Sequence, residues 1–138
     1  MAQATRPGGR GIAVYLVEGS GCGGCALEAQ SALARRYGAP GRPIRAVGTP
    51  AHADVLVLCG GLPDLREELQ RLFALLPEPW TCVHLGDCAG EGLVVEGAGA
   101  VAGCPPTPEA IREAVEAAWR RGERCRLAAA APPEEDAP

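Results

Sequence analysis

Short apolar segments alternate with amphipathic segments along this chain, and the alternation predicts most of its secondary structure. Strands that are buried on both faces of a sheet consist of brief, continuous runs of apolar residues. Four largely apolar segments, at 12–17, 43–47, 53–59 and 80–85, are predicted to be strands, and a fifth, weaker strand is expected within 93–102. The run at 53–59 is the clearest of them, because every residue from 55 to 59 is apolar and a Gly-Gly pair ends it.

Three amphipathic segments separate these strands and predict helices. They run from Ala26 to about Tyr37, from Pro63 to about Leu76 and from Pro108 to Trp119. Proline in the first turn and acidic residues near the positive end favour the second helix, and Thr107 is the expected N-cap of the third. Strands that alternate with helices predict an α/β domain with three layers and a mainly parallel sheet of about four to five strands.

The length of 138 residues fits a single domain. The sequence predicts a flexible N-terminal segment over residues 1–10, a folded domain over 11–120 and a disordered tail over 121–138, where an Arg cluster and an Ala run precede Pro-Pro-Glu-Glu-Asp. No apolar run approaches the roughly 20 residues of a membrane-spanning helix. The N-terminus also lacks an apolar signal segment, so a cytoplasmic protein is expected.

The overall composition is that of an ordinary globular protein, with 47% apolar and 22% charged residues. Aromatic residues form only 4% of the chain, so the core must be built from Ala, Val and Leu. The formal net charge of −4 argues against a general nucleic-acid-binding protein, which usually carries a basic face. The chemistry of the protein must therefore come from particular residues.

Cysteine is unusually frequent for such a chain. In a reducing compartment, metal binding or thiol chemistry explains many cysteines better than structural disulfides do. Their odd number also prevents complete pairing within one chain. The seven are Cys22, Cys25, Cys59, Cys82, Cys88, Cys104 and Cys125.

Four of the cysteines follow predicted strands. Cys22 and Cys25 come after the first strand, Cys88 comes three residues after the strand at 80–85, and Cys104 lies just before the third helix. Ligands of a parallel sheet gather outside the carboxyl ends of its strands, so these thiols are expected at one edge. Four Cys ligands suit Zn²⁺ or an iron–sulfur cluster. Only one C-x-x-C pair is present, and the other two cysteines stand singly, which favours a cluster over a single ion.

Four motifs occur in a consistent order between residues 11 and 119. They are Gly-Cys-Gly-Gly-Cys-Ala-Leu-Glu at 21–28, Ala-Asp-Val-Leu-Val at 53–57, Gly-Asp-Cys-Ala at 86–89 and Gly-Cys-Pro-Pro-Thr-Pro-Glu-Ala-Ile at 103–111. Together they resemble the small electron-transfer subunit of [NiFe] hydrogenases, most closely the short, single-cluster form of energy-converting hydrogenases and formate hydrogenlyase. The homologous subunit of respiratory NADH:quinone oxidoreductase shares the same frame.

The resemblance implies a flavodoxin-like fold and a role in electron transfer without substrate chemistry of the chain's own. It implies one [4Fe–4S] cluster held by Cys22, Cys25, Cys88 and Cys104 near the active site of a partner. The implied partners are a large hydrogenase-like subunit, with a Ni–Fe centre or a related site that has lost its metals, and a further ferredoxin-type subunit. Attachment to the cytoplasmic face of a membrane would come through other subunits.

Two features distinguish this chain within that family. Two Gly residues separate Cys22 and Cys25, whereas the respiratory relatives have adjacent cysteines, and this spacing indicates the hydrogenase side. The loop between Cys88 and Cys104 is shorter than is usual in the family, which leaves the identity of the partner open.

Three other interpretations of the cysteines stay open. A C-x-x-C pair at a helix N-terminus is also how thioredoxin-like thiol–disulfide oxidoreductases lower a thiol pKa, but Cys88 and Cys104 would then have no purpose. A structural zinc site is another interpretation. The last is a stand-alone cluster-binding or metal-storage module with no catalytic partner.

The remaining cysteines and the two histidines are expected to have structural roles. Cys82 is interpreted as an inert core thiol and Cys125 as an exposed, free thiol in the tail. Cys59 ends a strand at the ligand edge, so contact with the cluster or replacement of a ligand stays open, although core packing is favoured. His84 is expected to pack within its strand, and His52 to lie in a surface loop.

Overall fold

A computed structural model describes residues 11–19, 23–33, 43–62, 66–87, 95–122 and 124–127 of the chain. The strands within these ranges are β1 (Ile12–Glu18), β2 (Ile44–Ala46), β3 (Val55–Cys59), β4 (Thr81–Leu85), β5 (Val95–Glu96), β6 (Gly99–Val101) and β7 (Arg126–Leu127). The helices are α1 (Gly24–Leu33), α2 (Arg66–Leu75) and α3 (Pro108–Arg121), and a short 3-10 helix, Pro50–His52, leads into β3.

Five of the strands form one parallel sheet in the order β2-β1-β3-β4-β6. Strand β3 pairs with β1 from Val14↔Val55 to Glu18↔Cys59, and with β4 from Val55↔Thr81 to Cys59↔Leu85. The order reverses between β1 and β3, which is the topological switch point of flavodoxin-like sheets. The predicted α/β class with a mainly parallel sheet is confirmed.

Side chains of the central strands alternate between two cores, one on each face of the sheet. Val55, Val57 and Cys59 pack with the buried alanines of α1 and the apolar stripe of α3. Leu56 and Leu58 pack on the opposite face with residues from α2 and the segment before β4. Helices therefore cover both faces, which gives the three predicted layers.

Helix α3 has clear signals at both ends. The Thr107 side chain accepts a hydrogen bond from the Ala110 N–H at 3.1 Å, as expected of an N-cap. Gly122 ends the helix in the left-handed conformation, and its N–H donates to the Ala118 carbonyl at 3.0 Å. The helix runs two residues beyond its predicted end. It also holds α1, because the Arg112 guanidinium donates to the Ala32 carbonyl at 2.8 Å.

The other two helices agree with their predicted positions where the structure describes them. Helix α1 is described from Gly24 to Leu33, and residues 34–37 of the predicted helix lie outside the described residues. Helix α2 begins at Arg66, and residues 63–65 at the predicted start also lie outside them.

The region after β4 differs from its predicted structure. The single weak strand expected within 93–102 consists of two short strands, of which only β6 joins the main sheet. Strand β5 instead pairs antiparallel with β7, with Val95 opposite Leu127 and Glu96 opposite Arg126. The prediction of a disordered tail from residue 121 is therefore wrong for 124–127. The remaining tail, from residue 128, and the N-terminal segment lie outside the described residues.

Two of the cysteine predictions are also wrong. Cys82 and Cys125 form a disulfide with their Cα atoms 6.1 Å apart, so neither is a thiol. Cys125 is only 3% exposed, because the chain after α3 turns back over the face of the sheet that carries α2. Its arginine neighbours suggested an exposed site, whereas its burial depends on contacts with residues far away in the sequence.

Candidate cysteine site at the carboxyl edge of the sheet

The loops that follow β1, β3, β4 and β6 define the carboxyl edge of the sheet, where main-chain hydrogen bonds continue past the strands. The Gly19 N–H donates to the Cys59 carbonyl at 2.7 Å, and the Gly60 N–H donates to the Leu85 carbonyl at 3.1 Å. The Gly86 N–H donates to the Val101 carbonyl at 2.8 Å. These bonds hold the first residues of the four loops next to one another, as expected where parallel strands end at the same edge.

Cys25 lies in the first turn of α1 and contacts the loop after β4. It is half-buried, and a Cβ atom added to Gly86 would lie 2.6 Å from the Cys25 Sγ. Gly86 also has a φ of +99°, which L side chains rarely adopt. Because residue 86 is glycine, the Cys25 sulfur can pack directly against the main chain of that residue.

Cys104 is placed by the loop after β6, which is joined to the loop after β4. The Asp87 N–H donates to the Gly103 carbonyl at 2.9 Å, and the Gly103 N–H donates to the Asp87 carboxylate at 2.8 Å. Cys104, the next residue, is exposed. Hydrogen bonds thus join the loop of Cys104 to the loop after β4, whose main chain Cys25 contacts.

The other two predicted ligands, Cys22 and Cys88, lie outside the described residues. Within the described ranges, no group of three or more His, Cys, Asp or Glu side chains is positioned to hold a metal ion. The chain places Cys22 one residue before Gly23 and Cys88 directly after Asp87. The structure therefore describes two of the four predicted ligands and both segments to which the others connect.

Cys59 lies at the same edge, but its environment keeps it protonated. Burial raises the pKa of the Cys59 thiol to about 12, and the nearby charges of Cys25 and Glu18 act in the same direction. The side chain is 4% exposed and belongs to the core beneath α1 and α3. This burial suits Cys59 to core packing, the role that the sequence favoured.

His84 stabilises the loop after β3, a role that the sequence did not reveal. It is buried in β4, and its Nε2–H donates to the Gly60 carbonyl at 2.6 Å. Burial lowers the pKa of His84 from 6.5, against a smaller opposite effect of that hydrogen bond. The ring is therefore neutral near pH 7 and serves as a hydrogen-bond donor rather than a charged group.

We expect acid to destabilise the protein through His84. Because the folded pKa is lowered, the unfolded chain takes up the proton first, so stability is complete above about pH 6.5 and falls below it. The loss is up to about 1.4 kcal/mol for each pH unit until the folded pKa is reached. Urea unfolding at pH 7.5 and 5.5 measures this loss in the free energy of unfolding.

Two variants separate this effect from other acid-sensitive groups. His84→Gln keeps a donor for Gly60 but does not titrate, so it should lose much of the pH dependence. His52 is exposed, and His52→Gln should behave as the wild type does. An unchanged acid effect in His84→Gln would show that another group is responsible.

The fold and this edge together define the class of the protein: a flavodoxin-like α/β domain with thiols at the carboxyl ends of its parallel strands. Comparison with similar proteins then identifies the family within this class. A probable membrane-bound hydrogenase subunit, mbhJ, of Pyrococcus furiosus is 32% identical over 83% of this chain and 78% of its own length. Formate hydrogenlyase subunit 7 of Escherichia coli is 30% identical over 73% of this chain, which spans 46% of that subunit.

The chain belongs to the family of these hydrogenase subunits. An NADH-quinone oxidoreductase subunit of Amoebophilus asiaticus is 30% identical over 63% of this chain and 64% of its own length, so the respiratory branch is related as well. The resemblance found in the sequence motifs is confirmed. No protein-family model matches the chain.

A solved structure supports the same fold. One chain in the membrane-bound sulfane sulfur reductase, an archaeal respiratory membrane complex, superimposes with a TM-score of 0.57 over 83% of this chain and 72% of that chain, at 17% identity. The helices of the described residues are too short or too polar to cross a bilayer.

Proposed function

We propose that this chain is an electron-transfer subunit that binds one [4Fe–4S] cluster through Cys22, Cys25, Cys88 and Cys104. It would pass electrons to or from the active site of a large hydrogenase-like subunit. The contact between the Cys25 sulfur and Gly86 carries the proposal, because it brings the loop after β1 against the loop that leads to Cys88. The hydrogen bonds between Asp87 and Gly103 bring the loop of Cys104 next to the same two loops.

The described residues fit such a group by their chemistry. Thiolates are the ligands that iron–sulfur clusters use, and Cys25 lies in the first turn of α1, where the helix dipole stabilises negative charge. Gly86 puts main chain rather than a side chain beside the Cys25 sulfur. When bound, the cluster would supply one-electron chemistry, while the protein would hold the sulfurs and exclude other ligands.

The names of the relatives support a role within a larger complex rather than a stand-alone module. They are named as a hydrogenase subunit, a formate hydrogenlyase subunit and an NADH-quinone oxidoreductase subunit.

The remaining partners follow from the same proposal. Electrons need a second carrier, and a ferredoxin-type subunit is the class that the family resemblance implies. Any membrane attachment would come through other subunits, with this chain at the cytoplasmic face.

Anaerobic purification tests the proposal directly. We expect brown protein with about four iron and four sulfide per chain, as the composition of the cluster requires, and an EPR signal that appears on reduction. Colourless protein that contains zinc, or no metal, would contradict the cluster.

A thiol–disulfide oxidoreductase that uses Cys22 and Cys25 is the second candidate. The position of Cys25 in the first turn of α1 favours it, because a helix N-terminus lowers a thiol pKa. This candidate predicts disulfide reductase activity in the colourless protein and no effect of replacing Cys104. The same purified sample therefore distinguishes the two functions.

A further inference from the structure

The Cys82–Cys125 disulfide has no role in the proposed function. Cys82 and Cys125 both belong to the core on the α2 face of the sheet. Cys59 and Cys25 pack on the opposite face, with α1 and α3. The disulfide is therefore separated from the carboxyl-edge thiols by the sheet itself.

We infer that this disulfide is a thiol–disulfide exchange site, at which a small thiol bearing carboxylates attacks the sulfur of Cys125. A pocket of about 480 Å³ lies over the α2 face, and Cys125 is one of the residues that line it. Cys82 does not line this pocket and is fully buried in β4. Of the two residues, Cys125 borders the open space of the pocket and Cys82 does not, so attack is expected at Cys125.

The walls of the pocket suit an anionic molecule with an apolar part. Arg66, Arg124 and Arg126 supply guanidinium groups, and the rings of Phe73 and Trp80, with centroids 4.9 Å apart, supply an apolar wall. Guanidinium groups bind carboxylates by paired hydrogen bonds.

Arg124 and Arg126 pair with carboxylates at the surface. Arg124 lies 2.8 Å from the Glu78 carboxylate and Arg126 lies 2.8 Å from that of Glu96. All four side chains are about half exposed or more, and exposed ion pairs contribute little. A carboxylate on the incoming thiol can therefore replace Glu78 or Glu96 beside its arginine.

The exchange balances as two thiol displacements. The incoming thiolate forms a bond to the Cys125 sulfur, the bond between Cys125 and Cys82 breaks, and its electron pair leaves on Cys82, which takes a proton from water. A second molecule of the same thiol then attacks the mixed disulfide and releases Cys125. One protein disulfide is reduced, and two external thiols are oxidised to one disulfide.

Reduction would loosen the segment 124–127, because the other contacts described for β7 are weak: a short ladder with β5, exposed ion pairs and the packing of the partly buried Leu127 against the α2-face core. Its ladder with β5 has only two residue pairs, and a ladder this short is marginal in water. The exposed ion pairs of Arg124 and Arg126 add little. The reduced protein should therefore exchange its amide hydrogens at 124–127 much faster than the oxidised protein, whereas β3 stays protected.

The test treats the full-length protein anaerobically with glutathione, which carries carboxylates, or with neutral 2-mercaptoethanol at equal thiolate concentration. Acid quenching, alkylation and peptide mass spectrometry then locate the adducts. We expect the glutathione adduct on Cys125 and not on Cys82, formed about three- to tenfold faster than the neutral adduct because of the positive pocket.

Matched variants check the role of the pocket charge. Arg124→Gln should slow the glutathione reaction and leave the 2-mercaptoethanol reaction unchanged. Arg71, on the exposed side of α2, pairs with Glu67 outside the pocket, so Arg71→Gln should change neither rate. Equal rates for the two thiols, an adduct on Cys82, or alkylation of both cysteines without any reductant would overturn the inference. Iron is measured in the same samples, so failure of the proposed cluster is seen separately.

Discussion

Replacement of Cys104 by alanine should remove the iron from the protein while leaving it folded. Cys104 is exposed, and substitutions at such positions usually change stability by no more than about 0.5 kcal/mol. Loss of iron could therefore not be attributed to unfolding. We expect less than one iron per chain, measured by metal analysis and by loss of the visible absorption after anaerobic purification.

Cysteines away from the proposed ligand set provide the opposite controls. Cys59→Ala opens a small cavity in the core and should cost about 1 kcal/mol or more, and Cys125→Ala removes a disulfide, which typically costs about 2–4 kcal/mol. Compared as iron-free proteins, both variants should be less stable than Cys104→Ala, and both should still bind iron. Retention of iron in Cys104→Ala, or its loss from Cys59→Ala, would show that the ligands are wrongly assigned.

A methyl group added at Gly86 should disturb both the fold and the cluster. In Gly86→Ala the new Cβ would lie 2.6 Å from the Cys25 sulfur, and the backbone would keep a φ of +99° that alanine disfavours. We expect a loss of about 2–3 kcal/mol in the free energy of unfolding, since strained positions of this kind cost about 1–3 kcal/mol before any clash. Iron content should fall in parallel, because Cys25 must move.

Two further variants isolate the contact with the sulfur. Gly48 has open space around its Cβ position, so Gly48→Ala should have little effect. In a Cys25→Ala background, Gly86→Ala should lose the clash and retain only the backbone cost, and the difference between the two backgrounds measures the contact. Equal effects in both backgrounds would mean that Cys25 does not press on Gly86 in solution.

The sheet could be predicted from the sequence because its signals are local. The segment Val55–Cys59 is apolar throughout and all five residues are buried, as expected for a central parallel strand. Helix α3 has an N-cap, an apolar stripe and a C-terminal glycine within its own sequence. Once strands and helices alternate, the parallel topology places Cys25 and Cys104 at one edge without further information.

The C-terminal segment could not be predicted because its structure depends on distant residues. Cys125 is joined to Cys82 across 43 residues, and Arg126 pairs with Glu96 across 30. Nothing in the charged neighbours of Cys125 indicates burial. The role of Gly86 was also missed, although a glycine directly after a buried strand and two residues before a proposed ligand was a signal that could have identified it.

Three of the hydrogen bonds across the carboxyl edge join main-chain atoms, from Gly19 to Cys59, from Gly60 to Leu85 and from Gly86 to Val101. Such bonds do not depend on which side chains surround them. Neighbouring side chains can therefore change without breaking these three bonds, which agrees with an identity of only about 30% to the hydrogenase and respiratory relatives. For a designer, the same property makes this edge a scaffold on which other ligand sets could be installed.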